Sequence, residues 1–432
     1  MALLLKGARC VDPLLGLDGV RDILVRDGRI VEIGEAGTVT LPKGQTIDLS
    51  GKVLVPGLVD MHVHLREPGQ EYKEDIASGG RAAARGGFTT VLAMPNTLPI
   101  CDRGSAVTFV LDRAREVTRT RVSVAGSLTR GLMGEALAEM GDMAHAGAIA
   151  FTDDGRGVQD ASMMRRAMDY ARTFDVPVLS HCQDETLSRG GVVNEGLVST
   201  RLGLTGWPAA AEEIQIARDI VLSELTSCAL HLQHVSTAAG VELVRAAKAK
   251  GLSVSCEVTP HHLFLSEDDL DESYDTKLKM NPPLRTRDDC ALLIEALRDG
   301  TVDCIASDHA PHAAHEKALE FELAPFGTTG LETSLALVLT HLVRPGILDW
   351  TDLVRLMAHN PRRILGLPEV SLKAHAIADL TVIDPVCEWT VGEDGFESKS
   401  ANSAFVGQTL TGRATHVFVG GFASLEDGKV VA

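Results

Sequence analysis

Eight short apolar runs, rich in β-branched residues, recur along the middle of this chain. They lie at residues 58–64, 88–94, 121–128, 148–153, 176–181, 229–234, 252–259 and 302–308. Helix-like stretches separate several of them, at 106–117, 161–174, 211–222 and 238–250. Strand and helix in alternation predict parallel strands joined by helical crossovers. Eight such units suit a closed (β/α)8 barrel, with an open doubly wound sheet as the competing architecture. The barrel is favoured because polar residues cluster at the C-terminal ends of many runs, where active sites of that fold lie.

The two ends of the chain have a different texture. Short strand-like runs separated by turn formers such as Asp27-Gly28, Pro42 and Gly51 fill the first 55 residues. The same style returns at 379–384, 416–419 and 428–431. Residues 1–55 and 375–432 are therefore expected to pair into one small β-sandwich domain, with 56–374 as the α/β barrel. An apolar run over 53–63 reads as a single buried strand.

At 432 residues and 45% hydrophobic, the chain can bury a large core. Its formal net charge of −18 argues against nucleic-acid binding and against docking on anionic membranes. A small anionic substrate is still compatible, because a local pocket can differ from the net field. The N-terminal stretch has no signal-peptide layout, so a cytoplasmic location is expected. The eight cysteines are scattered with no Cys-x-x-Cys, which reads as reduced packing thiols.

The strand ends carry the chemistry. The first run closes on His62-Val63-His64. Residues two apart on a strand share a face, so both imidazoles can reach one ion. The fourth run ends in Thr152-Asp153-Asp154-Gly155, the fifth in His181, the sixth in His234, and the eighth in Asp308-His309-Ala310-Pro311-His312. Taken singly, a histidine here reads as a core hydrogen bonder and an aspartate as a turn former. Four imidazoles and two or three carboxylates at one barrel mouth suit Zn²⁺ or a similar ion.

Longer motifs narrow the reading. They are His62-Val63-His64-Leu65-Arg66-Glu67-Pro68-Gly69, Gly86-Gly87-Phe88-Thr89-Thr90, Met94-Pro95-Asn96-Thr97, Phe151-Thr152-Asp153-Asp154-Gly155, Gln233-His234-Val235-Ser236, Asn281-Pro282-Pro283-Leu284-Arg285 and Asp308-His309-Ala310-Pro311-His312. In order and content they resemble the class I dihydroorotases of the amidohydrolase superfamily, over nearly the whole chain. The resemblance implies reversible cyclisation of N-carbamoyl-L-aspartate to L-dihydroorotate with release of water, in pyrimidine synthesis. It implies Zn²⁺, one or two per subunit with two favoured. His62, His64 and Asp308 would hold the first ion, and His181 and His234 the second. Asp308 would also carry the proton as the catalytic residue. Many relatives bridge their metals with a carboxylated lysine from the fourth strand. No lysine occurs here between Lys73 and Lys248, so that strand cannot supply one. The resemblance, not spacing, assigns the bridge to Asp154, with Asp153 as its supporting neighbour.

Arg66, Asn96, Asn281 and His312 are the substrate contacts that the resemblance carries over. Arg66 could clamp a carboxylate in bidentate fashion, or pair on the surface with Glu67 or Asp75. Residues 312–330 read as a mobile loop over the mouth. His261 and His262, adjacent on a presumed strand, read as supporting or structural. One departure stands out: relatives place Gly and Pro where this chain has His375 and Ile377. The alternatives are another cyclic-amide hydrolase, such as a hydantoinase or allantoinase, and a non-catalytic scaffold. A homodimer and a complex with aspartate transcarbamoylase are the partners that the resemblance suggests.

Overall fold

The computed structural model describes residues 2–431. Eight strands form one sheet in chain order: Leu58–Val63, Phe88–Ala93, Arg121–Gly126, Ala148–Phe151, Val178–Ser180, Leu230–Leu232, Val254–Val258 and Cys304–Ile305. Every neighbouring pair is parallel. The ring closes where the first strand meets the loop after the eighth: Val63 bridges His309, and the His64 amide donates to the His309 carbonyl at 2.9 Å. The expected (β/α)8 barrel is therefore present, rather than an open sheet.

Helices cover the barrel wall. They include Ile76–Gly86, Gly104–Val117, Ala161–Arg172, Ala210–Thr226, Ala238–Ala249 and Arg287–Asp299. Several begin on a side chain that satisfies an orphan amide. Asp75 accepts from Ser78, Asp160 from Met163, Thr237 from Gly240 and Thr286 from Asp289. Helix Ala161–Arg172 turns Met163, Met164, Ala167, Met168 and Ala171 inward, a 3.6-residue stripe packed on the barrel.

Both chain ends build a second, nine-stranded sheet. Its order is Lys429–Val430, Phe422–Glu426, Thr409–Val419, Leu380–Thr390, Val53–Pro56, Ala2–Asp12, Leu17–Arg26 and Arg29–Glu35, with Gln45–Asp48 beside Ala2–Asp12. This is the small β domain expected from the two termini. The run over 53–63 is not one strand. It breaks at Gly57, and its first half joins the terminal sheet while its second half opens the barrel. A side chain at Gly57 would lie 2.4 Å from Thr89 Oγ1, so only glycine lets the chain pass that close to the neighbouring strand. His261 and His262 also depart from expectation. They sit on a short helix, Pro260–Phe264, started by Pro260 and capped by Thr259.

Candidate active site

The first barrel strand is buried throughout, and it delivers His62 and His64 to the mouth with ring centroids 5.4 Å apart. His62 is fixed from behind: its Nδ1 lies 2.7 Å from Glu257 Oε1. That leaves Nε2 facing forward, buried and without a hydrogen-bond partner. It lies 3.2 Å from Asp154 Oδ1 and 3.5 Å from Asp308 Oδ1. His64 is held likewise, with Nδ1 2.9 Å from Asn96 Oδ1 and Nε2 3.1 Å from Asp308 Oδ1 and 3.6 Å from Asp154 Oδ2.

The second half of the cluster faces the first. His181 Nδ1 and His234 Nε2 lie 2.9 Å apart, and 3.6 and 3.8 Å from Asp154 Oδ1. Gln183 Oε1 accepts from His181 Nε2 at 2.9 Å, which turns the Nδ1 lone pair towards Asp154. Two donor sets can thus hold an ion, His62/His64/Asp154 and Asp154/His181/His234, and Asp154 is common to both. Donors bound about 2.0–2.1 Å from one tetrahedral ion sit roughly 3.3 Å from each other. The separations here cluster around that value.

Electrostatics point the same way. Burial pushes His62 towards its neutral form, yet Asp154 and Asp308 win and raise it well above the usual imidazole range. Burial pushes Asp308 up, yet His62 and His64 hold it well below the usual carboxylate range. Asp154 is lowered in the same way by His62, His181 and His234 against its own burial. This cluster calls for positive charge at its centre. A divalent cation supplies that charge while leaving the imidazoles neutral as ligands.

Asp153 takes no part in the cluster. Its Oδ1 accepts from the Leu128 and Thr129 amides at 2.8 and 3.0 Å, and its Oδ2 from Thr129 Oγ1. Burial raises it to about 6. The two neighbouring aspartates, just past the strand Ala148–Phe151, thus point opposite ways.

His64, Arg66, Asn96, Asp154, His181, His234, Asn281, Asp308 and His312 all line one cavity of about 310 Å³, and His62 lies buried beneath it. That size suits a small ligand. Arg66 is buried rather than paired on the surface. Its Nε donates to the Pro311 carbonyl at 3.3 Å. The two alternative partners are engaged elsewhere, Glu67 with Arg113 and Asp75 as a helix cap. Asn96 also donates to Asp154 Oδ2 at 3.3 Å, so its amide braces both ligand sets. Asn281 donates to Gln183 Oε1 at 3.0 Å, and its own Oδ1 is buried without a partner. His312 Nε2 lies 2.8 Å from the Phe326 carbonyl. Burial, with Arg66, Lys73 and Lys317 nearby, lowers its pKa to about 2, so it is neutral. Backbone strain gathers here too: Arg66, His234 and Asp308 have φ of 60°, 33° and 45°. Non-glycine residues hold such angles at a cost of order 1–3 kcal/mol each, and the surrounding structure sustains it.

Three residues escaped sequence reasoning. Glu257 bridges His62 and His231, with its Oε2 3.1 Å from His231 Nε2. Burial would raise its carboxyl, but hydrogen bonds from His231 and His62 prevail and hold it at about 2. A charged residue between Cys256 and Val258 in an apolar run was the available signal. His231, between Leu230 and Leu232 in another apolar run, carries a similar mark, and Gln183 carries none. Residues 312–330 contribute His312, Pro325, Phe326 and Gly327 to the cavity wall, and buried lysines hydrogen-bond to the segment's backbone.

A (β/α)8 barrel with four histidines and two aspartates converging at its mouth is the architecture of the cyclic amidohydrolases. A family model described as dihydro-orotase-like matches residues 51–239. A dihydroorotase from Geobacter metallireducens is 50% identical over 422 residues, covering 98% of this chain and 99% of its own length. One from Pelotomaculum thermopropionicum is 49% identical over 427 residues, covering 99% of each. The chain belongs to the dihydroorotase family. Among solved structures, an L-hydantoinase (dihydropyrimidinase) from Arthrobacter aurescens superimposes with TM-score 0.89 at 27% identity, covering 100% of this chain and 97% of its own. A dihydropyrimidinase from Brevibacillus agri shares the fold at TM-score 0.86 and 20% identity, covering 100% and 96%. No helix among the described residues is long and apolar enough to cross a membrane.

Proposed function

We propose that this chain interconverts N-carbamoyl-L-aspartate and L-dihydroorotate, the ring-closing step of pyrimidine synthesis. The observation that carries the reading is the convergence of Asp154 and Asp308 on four imidazoles at the floor of a small cavity, in a chain about half identical to dihydroorotases. His62, His64 and Asp308 would hold one Zn²⁺ and His181 and His234 a second, with Asp154 within reach of both sets. The N/O donor set and its spacing fit zinc. Ions held there would supply Lewis acidity towards the amide carbonyl and would lower the pKa of a bound water.

The chain's own residues do the rest. Asp308 lies at the cavity floor, ionised, within 3.5 Å of both first-strand imidazoles. In the hydrolytic direction it accepts the proton of the attacking water and returns it to the ring nitrogen as the C–N bond breaks. In cyclisation it takes a proton from the ureido nitrogen and delivers it to the departing oxygen. Arg66, buried beside the cavity, binds a substrate carboxylate. Asn281 presents its unpartnered Oδ1 to a substrate N–H, and Asn96 keeps His64 in register.

The test is turnover of L-dihydroorotate by purified protein, with hydantoin and allantoin assayed beside it. Turnover confined to dihydroorotate, abolished in Asp308→Ala, supports the assignment. Turnover of hydantoin alone would transfer the chain to the activity named for its structural neighbours. A protein inert to all three with metal bound would favour a scaffold.

A further inference from the structure

Two buried lysines hold the wall of the cavity, and neither forms an ion pair among the described residues. Lys317, on the segment 312–330, donates through Nζ to the Thr276 and Pro325 carbonyls, both at 2.8 Å. Lys279, on the facing segment, donates through Nζ to the Phe321 and Glu322 carbonyls at 2.8 and 2.9 Å. The two segments therefore reach into each other. A backbone bond from the Gly327 amide to the Lys279 carbonyl, at 2.8 Å, joins them again. The Lys279 ammonium also lies 4.6 Å from the centroid of Phe326, a cation–π distance.

The placement matters because of what these segments carry. Pro325, Phe326 and Gly327 line the cavity. The Phe326 carbonyl fixes His312, and Lys279 stands two residues before Asn281. Burying an ammonium among carbonyls is costly when no carboxylate pairs with it directly, and here Glu322 near Lys279, and Asp275 and Glu316 near Lys317, act only from a distance. Burial lowers Lys279 to about 8 and Lys317 to about 7. An apolar side chain of similar length would fill the space more cheaply. What it cannot do is hold four backbone carbonyls at fixed positions.

We propose that Lys279 and Lys317 form a reciprocal latch that positions Phe326, His312 and Asn281 against the substrate. They are positioning residues for the reaction and do not touch the substrate themselves. The inference rests on the dihydroorotase reading of the cavity, and its test has a readout independent of that reading.

The experiment compares Lys317→Met and Lys279→Met with the wild type by amide hydrogen exchange, by zinc content and by steady-state kinetics on L-dihydroorotate. The latch predicts faster exchange confined to residues around 276–281 and 312–330, with unchanged zinc content. It predicts KM raised roughly tenfold with kcat nearly kept, because binding contacts loosen while the proton-transfer group stays in place. Unchanged exchange and KM in both variants would overturn it. So would loss of protection across the whole barrel, because the lysines would then serve general stability. If one variant fails to fold, the other decides. If the wild type does not turn over dihydroorotate, the exchange pattern still decides whether the latch exists.

Discussion

Glu257 offers the sharpest test of how this site is built. Its two oxygens hold His62 Nδ1 at 2.7 Å and His231 Nε2 at 3.1 Å, and all three side chains are fully buried. Glu257→Gln keeps the shape and one acceptor for His62 but removes the charge that strengthens its imidazole as a ligand. Outer partners of metal-binding histidines typically contribute 10–100-fold in affinity, about 1.4–2.8 kcal/mol. Glu257→Ala goes further. It frees the His62 ring, strands His231 Nε2 and leaves His62 Nδ1 only the Gln233 amide at 3.3 Å, at about 1–3 kcal/mol for each nitrogen. The alanine variant should therefore lose roughly 2–5 kcal/mol of folding stability as well as metal affinity. Zinc affinity is read by competition with a chromophoric chelator, and stability by denaturant unfolding of the metal-free proteins. A glutamine variant that binds zinc within about twofold of wild type would refute the idea that the carboxylate–imidazole pair tunes the site.

Other consequences follow from single residues. Glu332, buried against Arg85 and the Glu397 and Ser398 amides, is raised by burial to about 7 from 4.5. Its folded pKa lies above its unfolded one, so its contribution is complete below pH 4.5 and fades as pH rises through about 7. Glu332→Gln should flatten the fall in stability across that window by roughly 3 kcal/mol, and parallel unfolding curves with pH for both proteins would exclude this. His375 holds φ of 70°, a conformation that suits glycine better than a branched side chain. His375→Gly should leave the melting temperature level or higher, while β-branched His375→Val should cost about 1–2 kcal/mol. A valine variant as stable as wild type would show that the turn relaxes. Stripping metal with a strong chelator should abolish turnover and lower the melting temperature, with recovery on adding Zn²⁺.

Much of this molecule was legible in its sequence, for identifiable reasons. Barrel strands buried on both faces must be continuous apolar runs, and each reaches the mouth at a fixed end, so the histidines and aspartates that close the runs converge. Misreadings arose where local chemistry outranked the pattern. The Pro56-Gly57 pair divides a run that hydropathy alone joins, because the backbone there crowds Thr89. Thr259 and Pro260 start a helix under His261 and His262, a capping signal that adjacency in an apolar stretch concealed. The segment 312–330 looks loose because it is rich in Ala, Glu and Gly and lacks a strong apolar period. Here Lys317 is buried, and its reach to Thr276 is a long-range contact that no local pattern encodes. Glu257 and Gln183 hold the imidazoles rather than join the donor sets, so the folded geometry assigns their roles, although the charge of Glu257 inside an apolar run already marked it.

The most direct measurement of the central claim is metal content and dihydroorotate turnover on the same purified sample, for wild type and Asp154→Ala. Asp154 is shared by both ligand sets. The account predicts zinc bound to active wild-type protein, and an Asp154→Ala variant that folds, loses at least one ion per chain and loses turnover. Undiminished turnover in Asp154→Ala, or in wild type freed of metal, would contradict it.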